Sequence, residues 1–553
     1  MKKNLILTAM VASAAALLAV SCQKDQNTNT FGARLEKVVS EKVSIEDIDA
    51  NSSYPQFFTA GEQIRINNGT YSIQYSGAEA QINDVAADEG TTRRYTAFYP
   101  ASMAGDADIR TGQITVTLPT EQNYVENEGK QNVALPMAAV IDGEGMVFNF
   151  YNLCSLLKIK VHNATASAFT VNSICVAASA SNISGTATVT PTGTSSDFLT
   201  ITSGQKTVTL AGINKNIAAG ADAFFYVILP KLSTNNIFSF RINTSNGKCV
   251  KQMTGNGVQL PRNTIADLQL NVNVTPEGFS VASNRRVAIA PGNLQYQGSS
   301  ESFRFALNEW DAIGNNPGNT TGRDEGGENG RYRQSAWIDL FAWGTSGYER
   351  SPGHITTSDS QYPSSNIAST DYDWGVYRSI LNGSTTDPAG TWRTPTKAEW
   401  GYVFNTRTML SYNGGTVPRY RFCSLNGVNG VLMFPDNFVP MTSEEISLMN
   451  AAALTVAQWQ TLKDLGCAFL PVTGIRIATR RATSLFSHTY DASVDETNEG
   501  HYWSSSRSTL GLGTQASSVK FSYETFGTDR WELDAADGTQ QHKGCAVRLV
   551  KNL

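Results

Sequence analysis

The chain has 553 residues, of which 16% are charged, with 48 acidic against 43 basic side chains for a formal charge of −5. That length leaves room for about three domains, and low charge with 46 glycines suits a β-rich extracellular protein better than a helical cytosolic enzyme. No basic stripe is present, which excludes a phosphate-backbone partner, so no nucleic acid is expected.

Residues 1–21 read as a signal peptide. Lys2 and Lys3 precede an apolar run from Leu5 to Val20 that stops at Ser21-Cys22: charged head, apolar middle, small residues before the cut. The run is short for a membrane span, which takes about 20 apolar residues. Leu17-Leu18-Ala19-Val20-Ser21-Cys22 resembles a bacterial lipobox, with Ala19 where that pattern prefers Leu. The resemblance implies acylation of Cys22, a lipid anchor in the outer membrane and a place at the cell surface. An ordinary signal peptide with an incidental cysteine is the plainer alternative. Residues 22–32 then form the lipidated cysteine and a linker, and the mature balance becomes 41 basic against 48 acidic residues.

The next 240 or so residues read as strands. Ile114-Thr115-Val116-Thr117-Leu118 alternates apolar and polar, and Leu157-Lys158-Ile159-Lys160-Val161 does so with lysines on the wet face. Leu268 to Val274 places four apolar residues at period two, whereas Ala223 to Leu229 is apolar throughout and predicts a strand covered on both faces. No helix is expected between residues 50 and 275. The composition points to two β-sandwiches in series, over 33–162 and 163–275. Six cysteines beyond Cys22 are widely spaced without C-x-x-C, which favours buried free thiols over a disulfide framework or zinc site.

All nine tryptophans lie after residue 300, so a different domain is expected over 280–553, beyond a junction near Thr275-Pro276-Glu277-Gly278. Thr396-Lys397-Ala398-Glu399 and Thr455-Val456-Ala457-Gln458 are capping boxes that start helices, the second stopped by Gly466. Trp374, Tyr377, Ile380 and Leu381 predict a further helix ending at Asn382-Gly383. Short strands such as Val519 to Tyr523 and Val547 to Val550 complete an α+β pattern with long loops.

Two resemblances follow. Phe58-Thr59-Ala60-Gly61-Glu62-Gln63-Ile64, Tyr95-Thr96-Ala97-Phe98-Tyr99-Pro100, Leu118-Pro119-Thr120-Glu121-Gln122 and the stretch from Phe148 to Ile159 resemble the fimbrillin-like family of Bacteroidetes surface lipoproteins. That implies two transthyretin-like sandwiches, pilus subunits as partners by strand exchange, and proteolytic processing after an Arg. Arg34, expected just before the first strand, is the candidate, with an unprocessed surface Arg as the alternative. The second half, through Trp392-Arg393-Thr394-Pro395-Thr396-Lys397-Ala398-Glu399-Trp400, Tyr502-Trp503-Ser504-Ser505-Ser506 and Gly544-Cys545-Ala546-Val547-Arg548-Leu549-Val550, resembles the C-type-lectin-like fold in the branch of the formylglycine-generating enzymes. It implies a loop-tolerant binding scaffold whose chain ends pair. The sugar-binding tripeptides of calcium-dependent lectins and the paired cysteines of the enzymes are absent from this sequence, so neither chemistry transfers.

No H-E-x-x-H, G-x-S-x-G or Walker loop occurs, and the five histidines stand singly, so no catalytic residues are assigned and no enzyme is expected. Two acidic groups, Asp324, Glu325 and Glu328, and Asp491, Asp495, Glu496 and Glu499, could hold calcium, the one cofactor in view, although solvated acidic loops are the preferred reading. Trp392, Trp400 and Trp503 are assigned to packing. Ligand-facing aromatic residues are sought instead at Tyr523, Phe526, Asp529, Arg530 and Trp531, in a loop-like run, and at Trp343 with Tyr348 beside Gly344, Gly347 and Arg350. The sequence therefore predicts a cell-surface adhesin or pilus-tip component whose C-terminal domain binds a host or bacterial glycan or a protein. The alternatives are a structural pilus subunit or anchor, and a glycan-capturing or glycan-degrading lipoprotein.

Overall fold

The structure, a computed structural model, describes residues 28–35, 39–41, 58, 60–75, 79–86, 94–108, 110–127, 130–252, 257–320, 335–358, 362–412, 415–482, 488–495, 498–508, 515–524 and 530–553. Cys22, Asp324, Glu325, Glu328, Glu496, Phe526 and Asp529 lie outside them. The chain is mostly strand and forms two compact units. Unit 1 is Met1–Ala168, Asn172–Ser239 and Gln252–Val272, and unit 2 is Phe169–Val171, Phe240–Lys251 and Asn273–Leu553.

In unit 1 a seven-stranded sheet runs Gly69–Ser72, Gln63–Ile66, Arg94–Tyr99, Met137–Asp142, Val147–Asn152, Thr28–Leu35, Glu79–Ala86. Phe31, Ile64, Ile82, Tyr95, Phe148 and Phe150 form its core. Cys154–Asn163 lies between Thr264–Val272, to which it is parallel, and Asp222–Pro230, to which it is antiparallel. Ile114–Leu118 buries alternate residues as its pattern requires. Lys160 is partly exposed and meets Asp222 at 3.0 Å, whereas the Lys158 side chain is 17% exposed and meets the buried Asp267 at 3.5 Å. Asp222–Pro230 departs from expectation: only its second half is fully covered, and Phe224 turns outward under the Lys158 ammonium. The sheets do not separate at residue 163, since Ile114–Leu118 pairs with Ser184–Val189 and Glu121–Asn123 with Thr207–Ala211. Among the described residues between 50 and 275 the helical element is one 3-10 turn, Ala101–Met103.

Arg34 requires correction. It lies within the strand Thr28–Leu35, not before it, with Asn149 and Glu79 as its register partners. Phe31 and Ala33 point into the core, so alternation sends Arg34 outward, where it pairs with Glu79 at 3.2 Å.

The long C-terminal segment of unit 2 opens with the hairpin Phe279–Ala282 and Arg285–Ile289, and Val550–Asn552 pairs antiparallel with its second strand. Trp343, Trp374, Trp392 and Trp503 meet in one core cluster, Trp400 sits in a second and Trp459 in a third. Both expected capping boxes are formed, at Lys397–Gly401 and Val456–Asp464. The expected helix through Leu381 is a correction. Only Trp374–Tyr377 is helical, because Arg378 is extended, and Ile380–Asn382 pairs with Thr385–Asp387 across a Gly383-Ser384 turn with φ +61° at Gly383. A two-residue turn opened by glycine is a hairpin signal. Among the described residues six cysteines form no disulfide; five are buried and Cys175 is half-buried.

Candidate functional site

The site is built from two segments of unit 2. The first is the buried run Leu340 to Ser346, whose Phe341 exchanges backbone hydrogen bonds with Cys545 at 2.9 and 3.0 Å. Gly344 (φ +72°) and Gly347 (φ +89°) then turn the chain, lifting Tyr348 to 47% exposure. The second is the short helix Trp374–Tyr377. Its cap, Asp373, is fully buried and accepts from the Gly375 N–H at 3.2 Å and from the Thr394 N–H and hydroxyl, the latter at 2.9 Å. Burial pushes the Asp373 carboxyl up to about 6 against the pull of those donors. The adjoining Arg393 clamps Glu399 with two hydrogen bonds of 2.7 and 2.8 Å. Burial raises the Glu399 carboxyl, but Arg393 and the Thr396 N–H outweigh it and hold the group below its ordinary range. The Trp392-Arg393-Thr394 motif thus ties the short helix to the core.

This framework brings three tyrosines together. The Tyr348 ring meets Tyr372 at 5.4 Å and 89° and Tyr377 at 5.5 Å and 71°, both edge to face. Arg378 lies over the Tyr377 ring at 4.8 Å and donates to the Ser346 and Gly347 carbonyls at 3.0 and 3.2 Å, which fixes the turn beneath Tyr348. Burial, and a hydrogen bond to the Glu349 carboxylate, push the Tyr372 phenol up to about 12. The result is a partly exposed cluster of three aromatic rings, of a kind able to stack on a ligand. Tyr372, Tyr377 and Arg378 were not singled out from sequence as ligand-facing, although the Asp373 cap within Tyr372-Asp373-Trp374 signals a helix start.

The remaining candidates separate. Trp343 is a correction: it is fully buried, and its indole N–H donates to the Ser504 carbonyl at 2.8 Å, because it precedes the glycine at which the chain turns outward. Trp531 and Arg530 are also corrected, since they begin the strand Arg530–Gln540 and do not lie in a loop; register sets Tyr523 opposite Trp531. Of the acidic group, Asp491 and Asp495 lie on the strand His488–Asp495, Asp495 exposed. Glu499 is engaged by Lys520 Nζ and His501 Nε2, each at 2.9 Å. Among the described residues no three His, Cys, Asp or Glu side chains converge to hold a metal. A separate cleft of about 510 Å³ has Trp310, Ile313, Val428 and Val472 as apolar walls and Asp311 and Asn316 as polar ones.

No protein-family model matches the chain, and no curated protein matches it. Among solved structures it is similar to a candidate cell adhesion protein from Bacteroides ovatus, at 12% identity and a TM-score of 0.28 over 46% of this chain and 96% of that one. It is also similar to a candidate cell adhesion protein from Bacteroides fragilis (10%, 0.25, 44% and 94%). A fimbrial protein from Bacteroides vulgatus is a third (13%, 0.20, 44% and 96%).

Proposed function

We propose that the chain is a lipid-anchored surface adhesin or pilus-tip component that binds through its C-terminal half and makes or breaks no bonds. The fimbrillin-like half spaces or polymerises the molecule, and the C-type-lectin-like half presents the recognition surface. The observation that carries this reading is the Tyr348, Tyr372 and Tyr377 platform. A large aromatic side chain held 47% exposed by a glycine turn and a buried Asp373–Thr394 anchor is a rigid contact surface with little ordering cost on binding. The mature full-length chain on a glycan array and a surface-protein panel, with and without calcium, should show selective binding that Tyr348→Ala removes. A folded chain that binds nothing, or binds equally well without Tyr348, would end the reading.

A second reading, a structural subunit assembled by strand exchange, is favoured by one observation. Thr28–Leu35 lies between two strands and supplies Phe31 and Ala33 to the core, with Arg34 near its end. A cut after Arg34 would free that strand and leave a groove for a neighbour's strand. Brief treatment with an Arg-specific protease should then yield ordered oligomers; fragments that only aggregate would count against it.

A further inference from the structure

A second concave space in unit 2 takes no part in the tyrosine platform. It is a cavity of about 310 Å³, at the small end of ligand pockets (~300–1,000 Å³). Phe279, Ile289 and Ala468 form its apolar lining. Its two lysines already have carboxylate partners, and Asp464, also on its wall, accepts from Gln460 Nε2 at 2.7 Å. Lys463 Nζ stands 3.7 Å from Glu309 Oε1, and Lys248 Nζ stands 3.7 Å from Glu277. Glu309 is deeply buried, its other oxygen accepts the Phe469 N–H at 3.0 Å, and Arg548 lies 3.7 Å from it. One group is unmatched: Asn437, only 6% exposed, lines the cavity, and its side-chain Nδ2 has no hydrogen-bond partner.

We propose that this cavity binds one neutral polyhydroxylated ligand of monosaccharide size. A buried amide donor without a partner is unfavourable, and an oxygen acceptor from a ligand would relieve it. An anion would have to draw a lysine away from its carboxylate to enter. Hydroxyl groups need not: they accept from Asn437 and Lys463, donate to Glu309, and leave both pairs intact. The C–H faces of a sugar ring meet the apolar lining. The site is independent of the platform and stands if the platform fails.

The test uses the mature full-length chain with a hexose, a 6-deoxyhexose and an N-acetylhexosamine, and with acetate and glycine as charged controls, read by saturation-transfer NMR and thermal shift. At least one neutral sugar should bind and raise the melting temperature. Asn437→Asp, which keeps the shape and removes the donor, should weaken that binding at least about tenfold, and so should Asn437→Leu. Tyr348→Ala should leave it unchanged. The proposal is overturned if the charged controls bind and the sugars do not, or if sugar binding survives both Asn437 variants. It is equally overturned if no sugar binds, and a melting temperature raised by Asn437→Leu would then mark the amide as a polar group that water alone satisfies.

Discussion

Tyr348 and Trp343 are five residues apart and play opposite parts, because two glycine turns lie between the core and the surface. Tyr348→Ala removes a half-exposed ring and should cost under about 1 kcal/mol of stability while weakening ligand binding at least about tenfold. Trp343→Ala empties a fully buried site and should cost about 3–5 kcal/mol. Urea titration of both variants beside a binding assay checks the contrast, and equal destabilisation would refute it. A second residue-scale effect concerns His501. Burial holds its imidazole near pKa 4, below its ordinary 6.5, despite the Glu499 carboxylate. The unfolded chain therefore takes up the proton first. Stability from this group is intact above about pH 6.5 and is lost as pH falls toward 4, by about 3 kcal/mol in all. Asp339 and Asp373 act with the opposite sign, since burial lifts both to about 6 and the native state keeps their protons longer. Comparing the chain with His501→Gln across pH 4–7 isolates the histidine. The wild type should lose stability relative to the variant on acidification, and parallel curves would contradict the assignment.

At the scale of the element, the short helix Trp374–Tyr377 is held by its cap more than by its length. Asp373→Ala would leave the Gly375 and Thr394 donors unpaired in the interior, a cost of about 2–4 kcal/mol. It should also release Tyr377 from Tyr348, so binding should fall with stability; loss of stability with binding intact would separate cap from platform. Elements like this one mark the limit of what sequence can specify. Helices with a complete local signature, at Thr396 and Thr455, form where they are expected, and Thr442 with Glu445 makes a third box of the same kind. The apolar spacing from Trp374 to Leu381 reads as a helix because Trp374, Tyr377 and Leu381 match its period, yet Gly383 allows the hairpin turn that wins. Tyr348 could be nominated from its glycine neighbours. Its partners Tyr372 and Tyr377 could not, because their meeting depends on the Asp373–Thr394 bond between distant segments. Trp343 failed for the complementary reason: nothing local distinguishes a tryptophan just before a turn from one just after it.

The two units differ in what fills them, and that difference makes the whole molecule testable. Phenylalanine, isoleucine and tyrosine carry the core around Thr28–Leu35, whereas every tryptophan belongs to unit 2. Tryptophan fluorescence therefore reports unit 2 alone, and far-UV circular dichroism reports both units. Unit 2 is closed by Val550–Asn552: Val550 is 2% exposed, its backbone exchanges two hydrogen bonds of 2.9 Å with Arg393, and Asn552 Oδ1 accepts from the Arg393 guanidinium at 2.9 Å. A stop codon after Leu549 removes all three contacts and one strand of the terminal sheet. The loss of a buried side chain and of partners for Arg393 should cost at least about 3 kcal/mol. The fluorescence midpoint in urea should fall sharply, while a second dichroism transition persists at its wild-type midpoint. If both signals shift together, the strand stabilises the chain as one cooperative block. If neither shifts, the closing strand contributes nothing, and the framework behind the tyrosine platform is held by the tryptophan core alone.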